Sequence, residues 1–218
     1  MKKLILLFVL VVPLIFAPAA GANLILNGNF ESGIDPGSFT TIFAGDSTSI
    51  THWTVASGSV DYIGTYWDAA PGSSRSLDMN GNSQGSIFQT FDTTANQKYL
   101  VTFDLAGNFD GGPTTKTLAV SVGGTPQDYT FSYFSGWGHT NMGWTPEVFT
   151  FTAIGSSTTL TFIGDPTYLP SWGNTTPWGP TLADVAVTAV PLPPSVLLLG
   201  SGLVGLAGLG RRWRRKTA

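Results

Sequence analysis

Apolar and polar residues alternate with a period of two through much of the chain between residues 23 and 190. Leu118, Val120 and Val122 fall on one face of such a segment, and Phe149 and Phe151 alternate with threonines in another. This period is typical of half-buried β-strands, and no segment shows a helical stripe. Gly, Asn, Asp and Pro interrupt the segments as turn residues do. The pattern predicts about nine to eleven short strands that form a two-sheet β-sandwich.

The N-terminal end differs from this central region. Residues 1–22 contain two lysines, an apolar run over residues 4–16, and small residues that end with Ala20 and Ala22. This layout predicts a secretory signal peptide that signal peptidase removes by cutting after Ala22. The alternative is an uncleaved membrane anchor, which the shortness of the run and its prolines disfavour.

The C-terminal end, residues 190–218, combines prolines, an uncharged stretch and a basic cluster. The uncharged stretch from Val196 to Leu209 predicts a single transmembrane helix when its flanking residues are included, because a span takes about 20 predominantly apolar residues. The basic cluster after it favours a cytoplasmic end. The layout resembles PEP-CTERM sorting signals, whose proline motif corresponds here to Pro191, Leu192, Pro193, Pro194 and Ser195.

That resemblance implies a sorting route. An exosortase-like membrane protease cuts such tails near the proline motif and passes the protein outwards in Gram-negative bacteria. Leu192 stands where the sorting motif has a glutamate, and a single-span anchor that is never cut is the alternative. The chain is therefore expected to be exported, held first in the inner membrane by its C-terminal helix, and then placed at the cell surface or in the extracellular matrix.

Charge and cysteine content exclude some classes of partner and some kinds of chemistry. The chain has a net charge of −3 and no cysteine. All thirteen Asp and Glu residues lie within residues 23–190, where the only cationic residues are Arg75, Lys98 and Lys116. Such an acidic region repels phosphate backbones, so nucleic acid is not an expected partner. The absence of cysteine excludes a disulfide scaffold and thiol catalysis.

An ordered set of motifs carries a family resemblance. The region opens with NLILNGNFESG and closes with TLADVAVT, and between them lie WTVASGSVDYIGTYW, SRSLDMNG, GSIFQTF, YLVTFDLAGNFDGGP and HTNMGWTPEVFTFTA. In that order they resemble the choice-of-anchor C family of bacterial surface proteins. The opening and closing segments resemble the first and last strands of galactose-binding-like jelly rolls. The resemblance implies an all-β jelly-roll β-sandwich over residues 23–189, with carbohydrate binding as an expected property.

The same resemblance implies a metal site. In related carbohydrate-binding modules a calcium ion joins the first segment to the last strand, and the corresponding residues here are Glu31 and Asp184. Calcium takes about six to eight oxygen ligands. Ala183 stands where the related pattern often has another acidic side chain, so one ligand is missing. The alternative is that both carboxylates accept hydrogen bonds from backbone amides.

Aromatic rings in loops are the candidate ligand-binding residues, because a sugar stacks its apolar face on a flat ring while its rim takes hydrogen bonds. Tyr66 and Trp67 lie where a predicted strand runs into a loop. Trp172 and Trp178 lie in a long Pro- and Gly-rich loop before the last strand. Loops of this length without regular structure are often functional.

Polar residues beside these rings complete the candidate site. Asp61 and Asp68 flank the Tyr66 segment and are predicted to bond to a bound sugar. The alternative for each ring is that it seals an end of the sandwich. Trp53 alternates like a core residue and is predicted to pack there. Asn108 and Asp110 lie in a Gly-rich turn and are expected to cap their own backbone.

No catalytic motif is evident, so the protein is expected not to be an enzyme. His52 and His139 lack metal-ligand spacing, and no G-x-S-x-G motif occurs. The leading hypothesis is an extracellular carbohydrate-binding domain whose partner is an extracellular polysaccharide. One alternative is a structural component of the cell surface or biofilm matrix without a specific ligand. The other is a glycan hydrolase, which needs two carboxyl groups about 5–10 Å apart.

Overall fold

Eleven β-strands make up the part of the protein that the computed structural model describes, residues 21–165 and 177–191. They form two antiparallel sheets, so the all-β two-sheet prediction is confirmed. Within these two ranges we find no helix with the length and apolar character to cross a membrane. The signal peptide up to Ala20, the motif residues from Leu192 to Ser195 and the segment Val196–Leu209 lie outside the described residues.

The strands run in chain order as follows: β1 Phe39–Phe43, β2 Thr54–Ser57, β3 Ser59–Ile63, β4 Ser76–Asp78, β5 Ser86–Asp92, β6 Lys98–Gly107, β7 Thr115–Val122, β8 Thr125–Ser132, β9 Thr145–Thr152, β10 Ser157–Ile163 and β11 Pro180–Ala189. One sheet has the order β1-β3-β4-β11-β6-β9, and the other has the order β2-β5-β10-β7-β8. Most neighbouring strands are distant in the sequence, so the chain passes repeatedly between the sheets. One compact unit spans Gly21–Val190.

The alternating pattern buries one face of each strand between the sheets. In β7, Leu118 and Val120 are buried while the residues between them are partly exposed. Trp53 is 1% exposed and packs against Phe30 and Phe162, which confirms its predicted core position. Burying an apolar side chain of this kind contributes roughly 1.5–3 kcal/mol, so such rings dominate the stability of the sandwich.

The six-stranded sheet carries a polar row on the face that points away from the core. Asp61 in β3 is the register partner of Thr41 in β1 and of Asp78 in β4, and Asp78 is the partner of Thr181 in β11. Residues paired in this way lie on the same face of a sheet. The loops after β3 and β6 and the segment before β11 contribute side chains around this row, which makes it the floor of a cleft.

Candidate functional site

A cleft of about 210 Å³ lies on this outer face of the six-stranded sheet. The structure brings four of the six sequence-predicted ligand residues into its lining, namely Asp61, Tyr66, Trp67 and Trp178. The remaining lining side chains that matter for its chemistry are Phe39, Thr41, Asp78, Asn82, Asn108 and Asp110. The cleft therefore combines flat aromatic rings with carboxylate, amide and hydroxyl groups.

Asp61 supplies an acceptor on the floor of this cleft. The hydroxyl of Thr41 donates to Asp61 Oδ1 at 2.5 Å. Burial raises the pKa of Asp61, and the hydrogen bond from Thr41 partly opposes that change. The backbone approaches the carboxylate closely at Gly81, where an added Cβ would lie 3.0 Å from Asp61 Oδ1. The carboxylate is thus held in one position beneath the rings.

Asp78 lies beside Asp61 and ties three segments together. Its Oδ1 accepts hydrogen bonds from the backbone amides of Asn80 and Gly179, each at 2.9 Å. Its Oδ2 accepts one from Asn108 Nδ2 at 2.7 Å. Burial raises the pKa of Asp78 to about 7 although these donors favour the ionised form. Because both oxygens are engaged, the side chain fastens the loop after β6 and the start of β11 to β4.

Trp178 forms one wall of the cleft from a strained backbone. Its φ of 72° lies in the left-handed region, which costs a bulky residue roughly 1–3 kcal/mol. The indole lies directly over Gly111, where an added Cβ would be 2.8 Å from the ring. Only a residue without a side chain allows that approach, so Gly111 positions Trp178.

Lys116 holds the same wall from inside the sandwich. It lies on the inward face of β7 with Leu118 and is 1% exposed. Its ammonium donates to the carbonyl oxygens of Gly111 and Trp178, each at 2.6 Å. Burial lowers the pKa of Lys116 to about 8, and nearby carboxylates including Asp78 oppose that change. The buried cation therefore joins the Gly111 loop to the backbone of Trp178.

The carboxylate of Asp110, in the same loop as Gly111, links three loops. Asp110 accepts a hydrogen bond from the hydroxyl of Tyr66 at 2.8 Å, and its other oxygen lies 2.7 Å from His139 Nε2. The Tyr66 and His139 ring centroids are 4.7 Å apart. The hydrogen bond to Asp110 raises the pKa of Tyr66, and burial adds to that effect. Phe39 packs edge-on against Tyr66 at 5.1 Å, so the tyrosine ring is fixed on several sides.

The other predicted ligand residues lie in different places. Trp67 is 6% exposed and its indole nitrogen donates to Ser76 Oγ at 2.9 Å, so part of the ring packs on the sheet. Asp68 lines a separate cleft, and its side chain accepts a hydrogen bond from the amide of Met142 at 2.8 Å. Trp172 lies outside the described residues.

The predicted calcium ligands lie at two ends of one turn. Glu31 accepts hydrogen bonds from the amide and hydroxyl of Ser74 at 3.0 and 3.1 Å. Asp184 lies beside Gly72, in a bulge of β11 with a φ of 46°. Within residues 21–165 and 177–191 no three His, Cys, Asp or Glu side chains are grouped for a metal ion. Backbone and hydroxyl oxygens would have to complete a calcium site here, and calcium stays a prediction.

Sequence reasoning missed the place of Asp78 and Asp110 in the cleft lining, and the contacts by which His139 and Lys116 hold its walls. A signal existed for Lys116, because the period of two places it on the same face as Leu118. The expected capping is confirmed for Asn108, whose Oδ1 accepts a hydrogen bond from the amide of Asp110 at 2.8 Å, whereas the Asp110 side chain bonds to Tyr66 and His139. Asn108 also lines the cleft and donates a hydrogen bond to Asp78. That contact depends on strand pairing between distant segments, which local sequence patterns do not encode.

Comparison with known proteins identifies the family to which the chain belongs. The family model described as "Protein of unknown function (DUF642)" matches residues 23–188. Halomucin of Haloquadratum walsbyi is 32% identical over 152 residues, which cover 64% of this chain and 2% of halomucin. An Arabidopsis thaliana protein named "Protein DUF642 L-GALACTONO-1,4-LACTONE-RESPONSIVE GENE 1" is 27% identical over 183 residues, covering 78% of this chain and 47% of that protein. The chain spans less than half the length of each relative.

One solved structure matches most of this chain. The CBM22-1 xylan-binding domain of Xyn10C from Paenibacillus barcinonensis has a TM-score of 0.46 and 14% identity. The match covers 81% of this chain and all of that domain, 100%.

These matches correct the family predicted from the motifs. The assignment to choice-of-anchor C proteins with a PEP-CTERM-type tail was wrong, because the family model and the Arabidopsis relative indicate DUF642 instead. The motifs that carried the resemblance coincide with strands β2 to β6, β9 and β11 and the turns beside them. Their spacing reflects burial in a β-sandwich, which unrelated families share.

Proposed function

Because the chain belongs to the DUF642 family of proteins of unknown function, its function has to come from its own cleft, and we propose that the domain binds carbohydrate there. The supporting observation is that Tyr66 and Trp178 flank a floor of fixed carboxylate and hydroxyl groups. Flat rings complement the apolar face of a sugar, and the polar floor complements its hydroxyls. The partner that we propose for the protein is an extracellular polysaccharide.

We further propose that binding is not followed by bond cleavage. Asp61 and Asp78 are register partners on one face of the cleft floor, so a hydrolase that used this cleft would need this carboxyl pair. A glycosidase needs one of the pair to act as nucleophile or base and the other to donate a proton. Asp78 accepts three hydrogen bonds from the protein through its two oxygens. Its role in the network therefore favours a positioning function.

The test is a panel of plant, algal and bacterial polysaccharides. Affinity electrophoresis should show at least one polysaccharide that retards the protein, with retardation lost in Trp178→Ala. Ile154→Ala is the control, because Ile154 is 92% exposed and lines neither cleft. The same mixtures should release no reducing sugar, since the proposal excludes hydrolysis. Release of sugar that depends on Asp61 would favour the hydrolase alternative.

The structural alternative makes the opposite prediction. A surface or matrix component without a specific ligand would migrate at the same rate in the presence of every polysaccharide. Trp178→Ala would then migrate as the wild type does. Such a result would contradict the binding proposal.

Export is the setting we propose for this binding. Its support is the signal-like layout of residues 1–22. Intact-mass measurement of the protein outside the cytoplasm should give Asn23 as its first residue. Retention of residues 1–22 in that fraction would contradict cleavage after Ala22.

A further inference from the structure

A second cleft of about 510 Å³ is connected to the first along the chain, because Asp68 in its lining directly follows Trp67 in the lining of the first. Its lining includes Trp137, Trp144, Asn141, Thr145, Asp68 and Pro71. We propose that this second cleft binds a further part of the same carbohydrate chain that occupies the first. The proposal rests on the proposed function and adds to it: the ligand is an extended polysaccharide rather than a single terminal sugar.

A hairpin loop, residues 137–144, has contacts with both clefts. Gly138 and Asn141 exchange backbone hydrogen bonds of 3.0 and 2.9 Å, which leaves His139 and Thr140 at the tip. The His139 ring contacts Tyr66, a residue of the first cleft. Other residues of the same loop line the second cleft. The hairpin loop therefore presents one side chain towards one cleft and two indoles towards the other.

Asp68 fixes the hairpin loop against the first cleft. Its amide donates to the carbonyl of His139 at 2.7 Å, and its Oδ1 accepts from the amide of Met142 at 2.8 Å. Its carbonyl accepts from the indole nitrogen of Trp144 at 3.3 Å. Asp68 also follows Trp67, which lines the first cleft. The two clefts are thus adjacent along the chain and joined by several hydrogen bonds, so their spacing is set by the fold.

The two indoles are held in place by neighbouring groups. Trp137 stacks on Phe131 with centroids 5.4 Å apart and an interplanar angle of 23°. Its ring also packs on Gly143, where an added Cβ would lie 2.6 Å away and where φ is 66°. Trp144 is half-buried and tethered through its nitrogen. Rings held in this way lose little freedom when a sugar stacks on them.

Polar groups beside the indoles complete the same chemistry as in the first cleft. Asn141 and Thr145 are exposed and bring an amide and a hydroxyl to the rim. Rings with a polar rim match a sugar better than they match a purely apolar partner. Continuity with the first cleft then points to one occupant, the next units of a bound polysaccharide.

The test uses fragments of graded length from the polysaccharide that the full chain binds most tightly. Calorimetry should show affinity rising with length beyond the shortest fragment that binds. Trp144→Ala should match the wild type on that shortest fragment and lose about tenfold on long fragments, equivalent to ~1.4 kcal/mol. Trp144→Phe keeps a ring without the bond to Asp68 and should retain most of the affinity. Trp178→Ala should lose affinity at every length.

A second variant tests the same proposal if the Trp144→Ala protein does not fold. Asn141→Ala removes an exposed side chain and leaves the backbone pairing of the hairpin loop, so it should weaken long fragments only. Equal affinity of Asn141→Ala, Trp144→Ala and wild type at every length would overturn the second cleft while leaving the first intact. If the wild type binds no fragment or polymer, the proposed function itself fails.

Discussion

At the scale of single residues, two buried ionisable groups organise the first cleft. Asp78 receives hydrogen bonds from the turn after β4, the loop after β6 and the residue just before β11. Lys116 reaches from the opposite sheet to the backbone of Trp178. Removing one partner of a buried polar contact leaves the other unsatisfied, which costs about 1–3 kcal/mol. These residues should therefore control both stability and the position of the rings.

Asp78 should make the protein less stable as the pH rises towards neutrality. Burial raises the folded-state pKa of Asp78 to about 7, above its ordinary value of 3.8. Between these values the folded state binds more protons than the unfolded state, so the free energy of unfolding falls as pH increases. The stabilising contribution is complete below about pH 4 and is lost as the pH passes through about 7.

Denaturant titrations between pH 4 and pH 8 measure this effect. In Asp78→Asn the fall in unfolding free energy should be smaller than in the wild type. It should not vanish, because burial also raises the pKa values of Asp61, Asp104 and Glu147. Identical pH profiles for the two proteins would show that Asp78 does not hold its proton in the folded state.

Lys116→Met should weaken carbohydrate binding while preserving the fold. Methionine fills the space of the buried stem but cannot donate to the carbonyls of Gly111 and Trp178. We expect affinity to fall about fivefold to thirtyfold, equivalent to ~1–2 kcal/mol. Lys98→Met, at an exposed position, is the matched control. An affinity equal to that of the control would contradict the positioning role of Lys116.

At the scale of elements, loops make the cleft and strands provide its floor. The polar row of Thr41, Asp61 and Asp78 exists because β1, β3 and β4 pair in one register. The walls come from the loops after β3 and β6 and the segment before β11. Binding should therefore be sensitive to small changes in loop backbone that leave the sheets unchanged.

Gly111→Ala tests the contact between two of these loops. The new methyl group would lie 2.8 Å from the indole of Trp178, so the ring has to move. We expect reduced polysaccharide affinity and a shifted tryptophan emission maximum with little change in circular dichroism. In Gly155→Ala, the nearest atom to the new methyl group is 4.0 Å away, so this variant should behave as wild type. Full affinity in Gly111→Ala would show that the ring position is not critical.

Many of the strands could be predicted from the sequence, whereas much of the cleft could not. The period of two in β7 and β9 is a local signal, and the structure follows it. Tyr66, Trp67 and Trp178 were found because aromatic residues in Gly- and Pro-rich loops have few places to pack. Asp78 could not be found, because its importance comes from pairing with Asp61 and bonding to Gly179, 101 positions away.

At the scale of the whole molecule, the domain places its first segment against its last strand. The amide of Leu24 donates to the carbonyl of Val187 at 2.8 Å, and the amide of Val185 donates to Gly28 at 2.9 Å. The two predicted calcium ligands lie near this junction. We propose that an ion bound there would stabilise the closure of the sandwich, since a ligand that binds only the folded state raises its stability.

Calcium should therefore raise the thermal midpoint relative to the same protein in a chelator. Asp184→Asn should remove that increase without disturbing the bulge, because asparagine tolerates a positive φ as aspartate does. Magnesium is the control ion, since it prefers a rigid octahedral shell with bound waters. Equal midpoints in calcium and chelator would show that Glu31 and Asp184 do not hold a calcium ion.

Carbohydrate binding in the first cleft is the central claim, and calorimetric titration of a retarded polysaccharide tests it most directly. Wild type and Ile154→Ala should bind with equal affinity. Trp178→Ala should bind at least about tenfold more weakly, equivalent to ~1.4 kcal/mol, with an unchanged unfolding transition. Equal affinity in all three proteins would place the binding surface elsewhere and contradict the role of the cleft.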